Sequence, residues 1–354
     1  MNRIEKVIKR INELNLDAFF VTETSNIRYI TNFTGEDAFL LIKGEKIYLI
    51  VDSRFTTQAN EEVFKGVTVL EYKPPLTEFL EKLFVKEKIH WLGVEKNRIT
   101  ADLYLSLSGI PFIKVAPLNG IIENLRMVKD AEELETIRRA CEISSKSFEE
   151  TLPFIKEGVS EKDIASELEY RFRKNGAEKT SFDTIVASGW RGALPHGLAS
   201  DKKVKAHELI VMDFGVFYKG YASDTTRTVS IGEPAKEDFR IYEIVREAQK
   251  LGRDFVKQGV ICAELDKKVR DYIDSKGYGK YFIHGLGHGV GLEIHELPFV
   301  NGRSDIELKE GMIITVEPGI YLKDRLGVRI EDTILVRKNS GEVLTKLPHE
   351  LIKL

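Results

Sequence analysis

Two pairs of apolar segments, each with an acidic side chain near its middle, constrain the fold of this sequence most. In the first pair, residues 209–218 and 221–231 flank Lys219-Gly220, which predicts a β-hairpin with a two-residue turn. In that register Asp213 faces Thr226 and Asp224 faces Gly215, so both carboxylates lie on one face as diagonal neighbours. They are within reach of a shared ion, although the hairpin alone is also typical of solvent-facing acids.

The second pair of segments, residues 311–321 and 327–336, carries Glu317 and Glu331. Pro318 cannot donate a ladder hydrogen bond, which indicates a bulge or a strand edge beside Glu317. Irregularities of this kind often redirect side chains at active sites. Taken alone, Glu331-Asp332 is equally compatible with a solvated turn.

A glycine-rich stretch contains His284, His288 and His295, which are three of the seven histidines. Glycine lets the backbone approach a ligand closely, and neutral imidazole is the commonest metal ligand. The stretch is not a G-x-G-x-x-G nucleotide loop, because that pattern fails at Val290, and His295-Glu296 lacks the second histidine of a zincin. Three histidines in such a loop favour a functional site over a structural role.

Together these elements offer four carboxylates and one imidazole, a set that suits two divalent ions. Oxygen-rich ligation with one nitrogen favours Mn²⁺, Co²⁺ or Fe²⁺ over a structural zinc, although Zn²⁺ also fits. The predicted metal ligands are Asp213, Asp224, His288, Glu317 and Glu331.

The length of 354 residues predicts two domains. An N-terminal α/β domain is expected at 1–122, where short helices and strands alternate and nothing resembles a catalytic cluster. A second domain is expected at 123–354, beginning with a helix for which Asp130 and Glu133 form a capping box. The predicted fold class is α+β.

Composition excludes several classes of protein. The net charge of -3, with no basic stretch interleaved with aromatics, argues against nucleic acid as a partner. Cys141 and Cys262 lie in apolar helical stretches and are expected to be small buried hydrophobes, which leaves no disulfide framework. The N-terminus lacks the apolar core of a signal peptide, and no apolar run is long enough for a bilayer, so a cytoplasmic location without a membrane partner is the expectation.

In these motifs the sequence resembles the pita-bread metallopeptidases, the family of methionine aminopeptidase, aminopeptidase P, prolidase and creatinase. The motifs are the five predicted ligands in their order and the stretches around them, such as His284-Gly-Leu-Gly-His288 and residues 316–321. The resemblance covers 123–354 and implies a pita-bread catalytic domain. Residues 26–59 resemble the creatinase/prolidase-like N-terminal domain of the aminopeptidase P and prolidase branch, which methionine aminopeptidases lack.

The resemblance also implies roles for residues around the metals. Glu317 is expected to relay the proton of the attacking water as well as to bind metal. His196 and His295 are expected to hydrogen-bond the substrate and the oxyanion. His284 and Arg329 are expected to hold ligands in position, and Phe182 is either part of an apolar pocket or a core residue.

Within this branch the expected function is an Xaa-Pro aminopeptidase, acting on peptides with proline in the second position. The alternative is an Xaa-Pro dipeptidase, or prolidase. Archaeal prolidases place an arginine shortly after His-Glu-x-Pro, whereas here Phe299 follows Pro298 and the next arginine is Arg303. A creatinase-like hydrolase and a non-catalytic binding module are the remaining alternatives, and the intact ligand set argues against both. The family further implies a homodimer.

Overall fold

A computed structural model describes residues 3–354. The chain forms two compact units that divide between Arg126 and Met127. This division lies four residues beyond the expected boundary of 122, because the short helix at 123–126 belongs to the first unit. There, Asn26 donates to the carboxylate of Glu123 at 2.9 Å and accepts from Arg126 at 2.8 Å.

The N-terminal unit is an α/β module, as expected. Its helices are α1 (Arg3–Glu13), α2 (Thr24–Thr31), α3 (Thr56–Glu62), α4 (Leu76–Glu87), α5 (Ala101–Ser108) and α6 (Glu123–Arg126). Its strands are β1 (Ala18–Val21), β2 (Phe39–Lys43), β3 (Lys46–Val51), β4 (Val67–Glu71), β5 (Trp91–Glu95) and β6 (Lys114–Leu118). They form one mixed sheet in the order β4-β3-β2-β1-β5-β6, with an antiparallel meander of β1 to β3 at its centre.

The C-terminal unit combines four long helices with several small sheets, which confirms the α+β prediction. The helices are α7 (Ala131–Thr151), α8 (Glu161–Lys174), α9 (Lys236–Phe255) and α10 (Cys262–Ser275). The strands are β7 (Lys179–Thr180), β8 (Ile185–Ser188), β9 (Leu209–Phe214), β10 (Val216–Tyr218), β11 (Tyr221–Ala222), β12 (Thr225–Ser230), β13 (Gly287–Gly289), β14 (Glu296–Val300), β15 (Ile313–Val316), β16 (Gly319–Leu322), β17 (Leu326–Arg329), β18 (Asp332–Val336), β19 (Gly341–Val343) and β20 (Ile352–Lys353).

Two sheets of the C-terminal unit each pack against a pair of helices. The four-stranded sheet β20-β12-β9-β8 packs on α7 and α8, where Phe148 and Phe214 stack with ring centroids 5.1 Å apart. The five-stranded sheet β14-β13-β15-β18-β19 packs on α9 and α10 through residues such as Val245 and Ile314. Burial of apolar area on this scale is the main driving force for folding, at roughly 25 cal/mol per Å². The capping box at the start of α7 is present as predicted, and both cysteines are buried and free.

The acid-bearing strands change sheets near their acids, and this positions the site. The register of the first hairpin is confirmed, because Asp213 pairs with Thr226. Its outer part, β10 and β11, nevertheless belongs to a separate three-stranded sheet with β7, so Asp224 lies where the strand breaks. Glu317 and Glu331 occupy equivalent breaks, between β15 and β16 and between β17 and β18. At each break the carboxylate turns out of the ladder toward one shared space.

Candidate metal centre

Asp213 lies on β9, and the two oxygens of its carboxylate differ in their hydrogen bonding. Its Oδ2 accepts a hydrogen bond of 2.6 Å from Nη2 of Arg329. Its Oδ1 is buried and has no hydrogen-bond partner among the residues that the structure describes. A buried carboxylate oxygen without a donor is unfavourable unless a cation binds it.

Asp224, His288 and Glu331 lie together, with one potential ligand atom of each within 4.8 Å of the others. Nε2 of His288 lies 3.4 Å from Oδ2 of Asp224 and 3.4 Å from Oε1 of Glu317. The Nδ1 of the same ring lies 3.0 Å from the carbonyl oxygen of Gly289, an arrangement in which Nδ1–H donates and Nε2 keeps a free lone pair. Burial lowers the pKa of His288 to about 4, so the ring is neutral at neutral pH.

Glu317 and Glu331 approach the same space from the second pair of strands. The hydroxyl of Thr315 accepts from the backbone N–H of His288 at 3.0 Å and donates to Oε1 of Glu317 at 3.1 Å, which links two predicted ligands through one side chain. Oε2 of Glu331 accepts from the hydroxyl of Thr226 at 2.8 Å. Its Oε1 is buried and unpartnered in the described part of the chain.

Burial and repulsion between the clustered acids raise the pKa of three of them. Burial, and then the charges of Asp213 and Glu317, raise the pKa of Asp224 well above its usual 3.8. Burial raises the pKa of Glu317 to about 8, with Arg329 opposing and Asp213 adding to the effect. Burial, then Asp224 and the other two acids, also raises the pKa of Glu331. One guanidinium does not compensate four clustered carboxylates, of which Asp224 and Glu331 are buried, whereas two divalent cations do.

These observations fit the metal pair expected from the sequence. Two orphaned buried carboxylate oxygens, a histidine nitrogen with a free lone pair and an excess of negative charge form a donor set for hard or borderline divalent ions. All five predicted ligands line one pocket of about 660 Å³.

Arg329 and His284 are joined by a residue to which sequence reasoning gave no role. Arg329 is almost fully buried and donates from Nη1 to the hydroxyl of Tyr321 at 2.8 Å, and that hydroxyl lies 2.9 Å from Nε2 of His284. Tyr321 lies on β16, beyond the strand break that holds Glu317, and no local pattern in the sequence indicates its role.

The pocket also receives the other predicted site residues. His196, His295 and Phe182 all line it. The ring of His295 lies edge-on to that of His288, with centroids 4.3 Å apart. Phe182 is half-buried at the wall of this pocket. Asp183 and Leu198 line the same pocket, and neither was predicted.

The fold and this site define a metallopeptidase of the pita-bread class. Residues 135–338 match metallopeptidase family M24, and residues 3–128 match the creatinase/prolidase N-terminal domain. The chain belongs to this family. Its predicted enzyme class, a metallo-exopeptidase, is thereby confirmed.

Several relatives that match the whole chain carry the name of an Xaa-Pro peptidase. The Xaa-Pro dipeptidase of Pyrococcus furiosus is 40% identical, with 99% of each chain covered. The structure of an Xaa-Pro dipeptidase from Bacillus anthracis superposes with a TM-score of 0.96 at 41% identity, covering 99% of each chain. That of an X-Pro aminopeptidase from Thermotoga maritima gives a TM-score of 0.93 at 41% identity, covering 100% of each chain. These similarities support the dipeptidase alternative better than the expected aminopeptidase.

The arginine that follows Pro298 most closely in the sequence is Arg303. Arg303 borders a second cavity of about 570 Å³, which shares Ile283, His284, Gly285 and Asn301 with the lining of the first.

In the described residues, no helix is both long and apolar enough to cross a membrane.

Proposed function

We propose that this chain is a dinuclear metal-dependent Xaa-Pro dipeptidase. The observation that carries the proposal is the convergence of four carboxylates and His288 in one pocket, with Oδ1 of Asp213 and Oε1 of Glu331 buried and without a protein donor in the described chain. The names of relatives at about 40% identity supply the substrate class.

The residues proposed to hold the two ions are Asp213, Asp224, His288, Glu317 and Glu331. Mn²⁺ and Co²⁺ suit this oxygen-rich set best, and Fe²⁺ or Zn²⁺ also fits it. When bound, two such ions would supply Lewis-acid activation of water and of the scissile carbonyl at neutral pH.

Glu317 is proposed to move the proton. Its carboxylate accepts a proton from the attacking water and delivers it to the proline nitrogen as the C–N bond breaks. The nitrogen needs this proton because it leaves as a secondary amine. The raised pKa of Glu317 is that of the metal-free site. Bound divalent cations would favour the ionised carboxylate, which is the form that accepts the proton.

His196 and His295 are proposed to stabilise the oxyanion that forms during attack. Burial lowers the pKa of His295, so its ring is neutral and donates an N–H bond without adding a positive charge beside the metals. His284 and Arg329 are proposed to orient the ligands, the latter through Asp213.

The pocket suits a small substrate with an apolar second residue. Phe182, Ile185, Leu198 and Phe299 supply apolar surface around the acids. The peptide bond before proline has no N–H, so a site that makes no demand on that group can accept it.

A second candidate is the Xaa-Pro aminopeptidase. It is favoured by the similarity to the Thermotoga maritima enzyme and by Phe299, which stands directly after Pro298 where an arginine that binds a terminal carboxylate is expected in a prolidase. An aminopeptidase must leave room for the chain beyond proline, whereas a dipeptidase must recognise a terminal carboxylate.

One experiment separates these candidates. The protein is stripped with chelator, reloaded with Mn²⁺ or Co²⁺, and given an Xaa-Pro dipeptide, a longer Xaa-Pro peptide and a Met-Ala peptide, with products followed by mass spectrometry. Cleavage of the dipeptide alone supports the dipeptidase, and release of the first residue from the longer peptide supports the aminopeptidase. Glu317→Gln serves as the inactive control, and no cleavage by metal-loaded wild type refutes both.

A homodimer and a cytoplasmic location complete the proposal. The free, buried thiols of Cys141 and Cys262 are compatible with a reducing compartment. Light scattering on a size-exclusion column tests the dimer, since it measures the mass of the assembly directly.

A further inference from the structure

A fully buried carboxylate outside the metal centre organises one wall of the pocket. Glu161 has no solvent exposure, and its two oxygens accept five hydrogen bonds. Oε1 accepts from the backbone N–H and the hydroxyl of Ser188, at 2.7 and 2.8 Å. Oε2 accepts from Nε of Arg191 at 2.9 Å, and from the backbone N–H and hydroxyl of Ser200 at 3.1 and 2.6 Å.

These donors all belong to residues 188–200, which we call the histidine loop. The middle of this loop carries Pro195, His196 and Leu198 into the pocket. Arg191, while paired with Glu161, also donates from Nη2 to the carbonyl oxygen of Leu198 at 2.5 Å. The carboxylate of Glu161 therefore ties together the start of the loop, its end and, through Arg191, the part beside His196.

Glu161 belongs to a helix that is packed in the core. Glu161 is the first residue of α8, whose side chains Ile164, Leu168 and Phe172 are buried in the core. The backbone N–H groups of Glu161 and Lys162 donate to the carbonyls of Lys202 and Ser200, at 3.0 and 3.1 Å. The loop is thus fixed to a helix that packs in the core.

On its other side the histidine loop touches the residues that hold Asp213. The carbonyl of Pro195 accepts from Nη1 of Arg329 at 3.2 Å. A Cβ on Gly192 would lie 2.9 Å from the backbone nitrogen of Gly327, so the loop backbone lies directly against β17. His196 itself is exposed to the pocket, and its place depends on the loop that carries it.

We propose that Glu161 is a positioning residue for hydrolysis, which holds the histidine loop so that His196 meets the oxyanion. The inference rests on the proposed function, in which His196 contacts the reacting substrate. A network that orders a donor in advance contributes most in the transition state, because the donor then needs no reorganisation.

The test is a double-mutant cycle with Glu161→Gln and His196→Ala in the full-length, metal-loaded enzyme. In Glu161→Gln, the new amide NH₂ group faces N–H and O–H groups that also donate. Hydrogen bonds to the loop are therefore lost, and the loop loosens. We expect kcat on an Xaa-Pro dipeptide to fall about tenfold with KM changed by less than about threefold, while metal content stays at the wild-type value. In the His196→Ala background the same change should lower kcat by less than about twofold, because the group that Glu161 positions is already gone.

Two matched variants keep the test decisive. Glu87→Gln alters another buried, hydrogen-bonded glutamate, in the N-terminal unit, and should leave kcat unchanged. Arg191→Lys loosens the same link at a less buried position, and it replaces Glu161→Gln if that protein does not fold. Equal losses of kcat in both backgrounds, or no loss in either, overturn the positioning role. Absence of dipeptide cleavage by the wild type refutes instead the proposed function.

Discussion

Arg329 donates from Nη2 to Oδ2 of Asp213 at 2.6 Å, and it is the neighbour that fixes this carboxylate in the described chain. The same guanidinium donates from Nε to the hydroxyl of Thr226, the cross-strand partner of Asp213, at 3.0 Å. The buried side chain of Arg329 therefore aligns Asp213 with β12, the strand that directly follows Asp224. Asp213 keeps its other oxygen directed at the pocket as a result.

Arg329→Lys should weaken metal binding although it preserves the charge. A lysine ammonium cannot reproduce the planar fork that reaches Asp213, Thr226 and Tyr321 together. We expect the affinity for the more weakly held ion to fall about 10- to 100-fold, with a parallel loss of kcat. Titration calorimetry with Mn²⁺ on the stripped protein measures it. Arg246→Lys, a surface arginine paired with Glu243, is the control, and equal affinities in all three proteins contradict the prediction.

Tyr321→Phe should lower activity by disturbing the orientation of the metal ligands. The change removes the hydroxyl that bridges Nε2 of His284 and Nη1 of Arg329. We expect kcat to fall about 10-fold, because neighbours of metal ligands tune their orientation. Tyr242→Phe is the matched control, since among the described residues its hydroxyl donates to a backbone carbonyl, that of His349, and Tyr242 does not line the pocket. Similar activities in the two variants would remove Tyr321 from the site.

The metal-free protein should lose stability as the pH rises. Glu317 has a folded-state pKa of about 8 against the usual 4.5, so between these values the folded state keeps a proton that the unfolded state has lost. Each such group makes the free energy of unfolding fall by about 1.4 kcal/mol for each pH unit between the two pKa values. Above the higher pKa it causes no further fall. Urea unfolding from pH 5 to 8.5 measures the slope, and saturating Mn²⁺ should remove it. The same slope with and without metal contradicts the prediction.

Glu87→Gln should destabilise the protein at neutral pH and not in acid. The hydrogen bond and charge of Lys46, opposed by burial and aided by Tyr48, lower the pKa of Glu87. The stabilisation is therefore fully present above pH 4.5 and disappears as the pH falls through the lowered pKa. Because Lys46 is largely exposed, we expect a loss of only about 1 kcal/mol at pH 7.

Urea midpoints at pH 7 and near pH 3 measure this difference. Glu81→Gln, an exposed change in the same helix, provides the control. A Glu87→Gln effect of equal size at both pH values would show that the carboxylate charge is not its cause.

Much of the candidate site could be read from short-range patterns. The two-residue turn at Lys219-Gly220 set the pairing of Asp213 with Thr226, and the structure has that pairing. Pro318 marked the strand break at Glu317, and Asp130 with Glu133 marked the start of α7. These features depend on side-chain period, proline and capping chemistry, which act over a few residues.

Other features were not readable, because they depend on contacts between distant residues. Nothing near Tyr321 in the sequence shows that its hydroxyl joins His284 to Arg329, and nothing near Glu161 shows that it accepts from Ser188 and Ser200. The choice between dipeptidase and aminopeptidase rested on one arginine position. Sequence spacing does not report which side chains border a pocket.

The sequence by itself determined the class of the chain and the residue types available for a metal pair, since periodicity, turns and motif order are local properties. The tertiary structure decided how those residues are used. It turns Asp224, Glu317 and Glu331 out of their ladders at strand breaks, and it leaves two buried oxygens without donors among the described residues. The physical reason is that burial and the pairing of charges belong to the packed molecule, in which residues more than a hundred positions apart share one low-dielectric space.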